Sequence, residues 1–217
     1  MAAMRYDRWL ARLRELSNGL ASNGFDTQLA IGDPIPEDEL KSEEAYFAQP
    51  TGRPSFTFHE SLRALYAETR TITFRWKTRD RPDIQPMFGG MHLMPLSMLY
   101  ESDPGADTGE LWHGVWRTLD EVGVVTQVIV KFNEDGVASL AWKSTEGGTE
   151  SITPLDLSID DYFELSLAAC CLHGWPLLFA FDQEEITEDY VEDIYAALQT
   201  LSPPADPSAI RRKRGNR

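Results

Sequence analysis

The chain has 217 residues, of which 42% are hydrophobic, and a formal net charge of −15 from 35 acidic and 20 basic side chains. This composition supports a folded core and excludes wholesale disorder. The charge is uneven, because residues 203–217 hold five basic residues and one acid, which leaves residues 1–202 with a net charge of −19. An acidic body disfavours nucleic acid and membrane surfaces as partners and suits a cationic partner.

The length fits one domain over residues 1–202, followed by a basic C-terminal tail over residues 203–217 that we expect to be disordered. No apolar run approaches the roughly 20 residues that span a bilayer, and the N-terminus lacks the profile of a signal peptide. Cys170 and Cys171 are adjacent, so a disulfide between them closes no long loop. These features predict a soluble, cytoplasmic protein.

The N-terminal part of the chain is predicted to be helical. Apolar side chains recur at helical spacing over residues 5–17, which predicts an amphipathic helix that ends near Gly19. A short acidic helix is expected over residues 37–47. Thr57 and Glu60 match the capping-box pattern, so a third helix is predicted from there to about Glu68.

After this helix, the spacing of the apolar residues changes from the helical period to the alternation of a strand. Ile72, Phe74 and Trp76 alternate with polar residues, as in a half-buried strand. Further strands are predicted over residues 91–94, 124–132, 137–143 and 151–153.

Two helices are predicted after the strands. Ser158 is expected to cap the first, which is apolar nearly all round and ends at His173 and Gly174. The second covers about residues 184–200 and ends before Pro203. Helices followed by a run of antiparallel strands and then by helices predict the α+β class.

Several segments resemble the SUKH superfamily, which includes the yeast cell-wall-synthesis regulator family and many bacterial immunity proteins. The first is the short acidic helix followed by the segment FHESLRALY at residues 58–66 and by Phe74-Arg75-Trp76 in a strand. Residues 91–96 resemble the apolar strand of the family that ends in Pro-Leu. Residues 160–165, with Trp175 and Phe179, resemble its late helix.

The resemblance covers about residues 37–181 and has implications for fold and function. It implies a bent antiparallel sheet of about four to six strands, packed by N- and C-terminal helices. It also implies a binding role without catalysis. Many bacterial members neutralise a toxin encoded beside them, often a nuclease or a deaminase.

The strongest local signal is acidic. Residues 182–193 contain seven carboxylates and no Lys or Arg. On a helix, like charges four residues apart cost a few tenths of a kcal/mol per pair, so a face for a basic protein partner is one interpretation and a solvated helix face is the other. The predicted partner-binding surface consists of Glu184, Glu185, Glu188, Asp189, Glu192, Asp193, Asp160 and Asp161. The partner hypothesis gains strength if a further acidic group at residues 33–44 converges with these residues in space.

No catalytic residue, metal or cofactor is expected. The four histidines lack metal-ligand spacing, Cys170 and Cys171 fit buried core positions, and Gly89-Gly90 lacks the pattern of a phosphate-binding loop. The sequence therefore favours a protein-binding module, such as an immunity protein that covers a basic toxin. A regulatory or scaffold binder without a toxin is the alternative. A small hydrolase, with His92 or His113 in a pocket beside buried carboxylates, is a weaker hypothesis.

Overall fold

The computed structural model describes residues 5–51, 57–79, 86–100, 116–123, 125–132, 137–145, 148–180, 187–201 and 205–215. Within these ranges it has one antiparallel sheet, in which each strand lies beside its neighbours in sequence. The strands are β1 (Phe25–Ile31), β2 (Ile72–Thr78), β3 (Phe88–Leu93), β4 (Arg117–Glu121), β5 (Thr126–Phe132), β6 (Ala138–Ser144) and β7 (Ser151–Leu155). The helices are α1 (Tyr6–Ser22), α2 (Glu37–Thr51), α3 (Glu60–Tyr66), α4 (Leu96–Tyr100), α5 (Ile159–Ala168), α6 (Glu188–Thr200) and α7 (Pro207–Gly215), with a 3₁₀ helix at Trp175–Phe179.

The predicted α+β class is confirmed, with seven strands in the described ranges where the sequence predicts four to six. The two strands that the sequence does not predict, β1 and β4, have the sequences FDTQLAI and RTLDE. In β4 one residue, Thr118, is β-branched, whereas in β1 the strand formers Phe25, Thr27 and Ile31 are separated by polar Asp26 and Gln28. They form strands because they pair with neighbours that have a strong strand pattern, β1 with β2 and β4 with β5.

The structure tests the two helix caps that the sequence predicts. Ser158 caps α5 in a capping box with Asp161, so this predicted cap is confirmed. The cap predicted at Thr57 is wrong, because α3 begins at Glu60 after His59, whose side chain caps nothing.

The core lies on one face of the sheet, against α1 and α5. Phe74 and Trp76 of β2 are buried on this inner face. The Trp9 indole of α1 donates a hydrogen bond to the Phe163 carbonyl of α5 at 2.6 Å, and the two rings meet edge to face at 5.3 Å. Arg75 and Lys77 alternate with the buried residues of β2 and therefore project from the outer face.

The sheet divides between β3 and β4. Among the described residues, a single pair, Leu93 with Asp120, joins these two strands. The free edge of β3 is instead occupied at Gly89, which forms a bridge with Leu172, from the segment that follows α5. The division creates a cavity on the outer face of the sheet.

The C-terminal segment differs from the disordered tail that the sequence predicts, because residues 207–215 form α7. Asp206 accepts hydrogen bonds from the amides of Ser208 and Ala209 at the start of the helix. Pro207 occupies the first helical position, which suits its fixed φ. Ile210 is fully buried and joins the main hydrophobic core, and this burial stabilises the helix.

Over the described ranges, none of the helices has the length and apolar character needed to cross a membrane.

The packing of α7 predicts the effect of a mutation. Ile210→Ala should lower the free energy of unfolding by about 2–4 kcal/mol, because it removes buried methyl groups and leaves a cavity. Ile152→Ala, at a β7 position that is 40% exposed, is the control and should cost less than about 1 kcal/mol. Urea denaturation measures both. Equal, small effects would mean that α7 does not pack in solution.

Candidate functional site

The predicted acidic surface is partly within the described residues. Glu184 and Glu185 lie outside them. Four of the predicted carboxylates lie exposed on α6: Glu188, Asp189, Glu192 and Asp193. None of the four forms an ion pair with another residue that the structure describes.

The other two predicted residues, Asp160 and Asp161, have partners within the fold. The Tyr6 hydroxyl donates to Asp160 at 2.8 Å. Asp161 completes the capping box of α5 with Ser158 and forms an ion pair with Lys213 of α7, also at 2.8 Å. Burial would raise the pKa of Asp161, but the hydrogen bonds from Lys213 and Ser158 outweigh it and the pKa is lowered. These two carboxylates do not extend the free acidic face of α6.

Three carboxylates of the acidic group at the start of α2, Glu37, Glu39 and Glu44, are also paired. Glu37 Oε1 lies 2.7 Å from Arg63 Nη2, and Glu39 Oε1 lies 2.6 Å from Arg70 Nη1. Glu44 accepts from both Arg63 and the backbone amide of Phe58. This group therefore ties α2 to α3 and to the turn that follows it.

A cavity of about 800 Å³ lies on the outer face of the sheet, at its division. Its walls come from β1, β2, β3, the β4–β5 connection and His173. The residues that matter most for its chemistry are Arg75, Lys77, Phe88, Gly90, Val125 and His173. A concave site of this volume falls within the range of small-molecule pockets.

Two consecutive residues with left-handed backbone place one wall of this cavity. Cys170 and Cys171 have φ of 53° and 50°, a conformation that costs about 1–2 kcal/mol for each residue with a side chain. Their carbonyls accept hydrogen bonds from the Trp76 indole at 2.6 Å and from the Gly90 amide at 2.8 Å. The turn directs the chain along β3, so that His173 reaches the cavity.

The cysteines are buried, as the sequence predicts. Burial raises the pKa of the Cys170 thiol to about 12. Neither thiol is therefore a nucleophile at neutral pH, because the thiolate is the reactive form.

Gly89 lies where the segment after α5 packs against β3, and this close packing requires a glycine. A side chain there would overlap the Cys171 carbonyl and the Trp76 indole. Gly90 is equally confined, since a Cβ atom would lie 2.5 Å from the Phe74 carbonyl oxygen. The two glycines thus allow close packing of backbones and leave the cavity floor without side chains.

Asp120 is a fully buried carboxylate at the same division of the sheet. Its Oδ1 accepts the backbone amide of His92 at 2.6 Å, and its Oδ2 accepts the Tyr162 hydroxyl. Burial raises the pKa of Asp120 to about 6, although both hydrogen bonds act to lower it. The side chain joins β3, β4 and α5 by hydrogen bonds where the ladder between the strands is short.

The rings of His92 and His173 contact groups other than the buried carboxylate of Asp120. The His92 ring contacts Thr73 at 3.1 Å on the outer face, whereas the Asp120 carboxylate lies in the core and binds only the backbone amide of His92. His173 contacts Thr126 at 3.0 Å and the Phe88 ring at 4.7 Å. His113 lies outside the described residues.

Comparisons of the chain with protein-family models, with curated proteins and with solved structures find no match. The similarity to the SUKH superfamily therefore rests on the sequence segments alone and stays a prediction.

The sequence does not single out the cavity residues. The available signals were two cations two apart on one strand, Arg75 and Lys77, and a phenylalanine directly before two glycines. These signals gain meaning only from the register, which places Lys77 opposite Phe88 and Arg75 opposite Gly90.

The raised pKa of Asp120 predicts a pH-dependent effect of Asp120→Asn. The folded protein holds the proton up to about pH 6, whereas the unfolded chain releases it near pH 3.8, so the folded state binds more protons between these values. This carboxylate therefore destabilises the fold increasingly as the pH rises through that window. Between pH 4 and pH 7, the free energy of unfolding of Asp120→Asn should therefore rise by up to about 3 kcal/mol relative to that of wild type.

Denaturation at a series of pH values measures this difference. Asp38→Asn, which removes an exposed carboxylate of α2, provides the baseline. A difference curve for Asp120→Asn that is flat from pH 4 to pH 7 would contradict the buried, partly protonated carboxyl group.

Proposed function

We propose that this chain is a non-catalytic protein-binding module and that the exposed carboxylates of α6 form its contact surface for a basic protein partner. The observation that carries the proposal is a contrast between groups of acids. Glu37, Glu39 and Glu44 of α2, and Asp160 and Asp161 at the start of α5, are matched by Arg, Lys or Tyr within the fold. Those of α6 have no such match among the described residues.

The acidic face of α6 is held in place by the opposite face of the helix. Ile194 and Leu198 are buried, and the Thr187 hydroxyl caps the helix by accepting the amide of Tyr190. Like charges one turn apart, such as Glu188 and Glu192, repel by a few tenths of a kcal/mol when no cation is near. A basic partner would relieve this repulsion, so its binding would also stabilise α6.

The neighbouring helix α7 does not neutralise this face. Lys213 pairs with Asp161, and Arg212 lies 3.8 Å from Asp206 at the start of its own helix. Arg211 stacks on the Tyr195 ring at 4.7 Å. These three basic side chains of α7 therefore contact groups other than the α6 carboxylates.

An immunity protein of the SUKH type is the most specific form of the proposal. The partner would be a basic toxin domain, such as a nuclease or a deaminase, and the protein would act in the cytoplasm. Complementary charge speeds association and selects against acidic partners. A regulatory binder that uses the same face, without a toxin, is the alternative form.

The test is binding to the toxin-like C-terminal domain of a protein encoded by the neighbouring open reading frame. The double variant Glu188→Lys/Glu192→Lys should raise the Kd at least tenfold, which corresponds to about 1.4 kcal/mol. It should also flatten the dependence of Kd on salt, because fewer attractive charges remain. Calorimetric titration at two salt concentrations measures both effects.

A matched control makes the same change of charge elsewhere on the surface. Glu15→Lys/Glu68→Lys replaces two exposed carboxylates outside α6 and should leave the Kd within about twofold. Equal weakening by both double variants would refute α6 as the contact surface. A neighbouring product that is neither bound nor neutralised in a growth assay would refute the immunity form.

A further inference from the structure

The cavity at the division of the sheet has a chemistry that differs from the rest of this acidic chain. It combines two cations, an exposed aromatic ring and a floor of glycine backbone. None of these features belongs to the acidic face of α6, so the cavity is a separate candidate site.

The first observation is charge. Arg75 and Lys77 are exposed on one side of β2, and neither forms an ion pair with a described residue. Most other cations in the same ranges are matched, since carboxylates pair with Arg5, Arg12, Lys41, Arg63, Arg70, Arg79, Lys143, Arg212 and Lys213. Two neighbouring unmatched cations in a chain of net charge −15 indicate a place for an anion.

Neither carboxylate that lines the cavity forms an ion pair with Arg75 or Lys77. Asp26 is the register partner of Lys77, but its Oδ1 lies 2.8 Å from the Arg79 guanidinium and is matched there. Glu121 lies at the end of β4, on the wall formed by the β4–β5 connection. The β2 wall therefore keeps an excess of positive charge.

The second observation is the exposed apolar surface in the cavity. The Phe88 side chain is 51% exposed and Val125 is 40% exposed, although both line a concave site. The Phe88 ring lies 4.7 Å from the His173 ring at an interplanar angle of 33°. A planar ligand that stacks on Phe88 would remove this apolar surface from water.

The register brings the two observations together. Lys77 lies directly opposite Phe88, and Arg75 lies opposite Gly90, where no side chain fills the floor. A ligand over Gly90 would have its ring against Phe88 and its charge against Arg75 and Lys77. A guanidinium pairs with a carboxylate or a phosphate by two parallel hydrogen bonds.

We propose that this cavity binds a small anionic ligand with a planar aromatic ring, whose carboxylate or phosphate pairs with Arg75 and Lys77 while the ring stacks on Phe88. The anionic group has two possible sources, a carboxylate on an aromatic acid or the phosphate of a nucleotide. Both share the chemistry that the cavity selects.

Titrations with two anionic probes and their neutral counterparts test the proposal. The probes are indole-3-acetate and adenosine 5′-monophosphate, and the counterparts are indole-3-acetamide and adenosine. At least one anionic probe should bind with a Kd below about 1 mM and at least tenfold more tightly than its counterpart. The probe that binds identifies carboxylate or phosphate as the preferred group.

Three variants locate the site. Arg75→Gln/Lys77→Gln should weaken the bound probe more than tenfold and reduce its preference over the neutral counterpart. Phe88→Ala, at an exposed position that the fold tolerates, should weaken both the anionic and the neutral probe. Arg8→Gln/Arg14→Gln removes two exposed cations of α1 that do not line this cavity, and it should leave the Kd unchanged.

The amide signals of Gly89, Gly90 and Gly123 in NMR spectra provide a second measurement, because these residues line the cavity. They should shift when the probe binds to wild type. The proposal is overturned if neither anionic probe binds below about 1 mM, if the neutral counterpart binds equally well, or if the Arg75/Lys77 variant keeps the wild-type Kd.

Discussion

The carboxylate of Asp120 links the two halves of the sheet at the point where the backbone ladder between them is a single residue pair. It binds the His92 amide on β3 and the Tyr162 hydroxyl on α5, and it is itself part of β4. The rest of the free edge of β3 is covered by the strained turn at Cys170 and Cys171. The cavity exists because the sheet divides here, and the sheet is able to divide because these groups satisfy the hydrogen bonds that a continuous ladder would have made.

The distribution of charge follows from which acids the fold pairs internally. Glu37 and Asp161 tie helices to one another through ion pairs, and Glu39 ties α2 to the turn after α3. The cations in these pairs are not available to neutralise other carboxylates. The charges without an ion pair in the described ranges include the acids of α6 and the neighbouring cations Arg75 and Lys77. Exposed ion pairs contribute little to stability, so groups left without partners cost the fold little and remain available to ligands.

Periodicity and caps predicted the elements whose own residues decide their structure. Helix α5 has an apolar repeat and the Ser158 cap, and β5 is rich in Val and Ile. Strands β1 and β4 were not predicted, and both are stabilised by pairing with a neighbouring strand, which the sequence does not show directly. Helix α7 was predicted as disordered because its basic residues dominate its composition, whereas the burial of one residue, Ile210, keeps it on the core.

The sequence by itself determined the α+β class, the acidic character of the chain and the location of its densest run of acids, because these depend on composition and on short-range spacing. Tertiary structure alone decided which charges are free and which are paired, because ion pairs such as Lys213 with Asp161 join residues far apart in the chain. It also decided that Arg75, Phe88 and His173 share one cavity, since strand register and a left-handed turn set that proximity. Such long-range geometry leaves no periodic signal in the sequence.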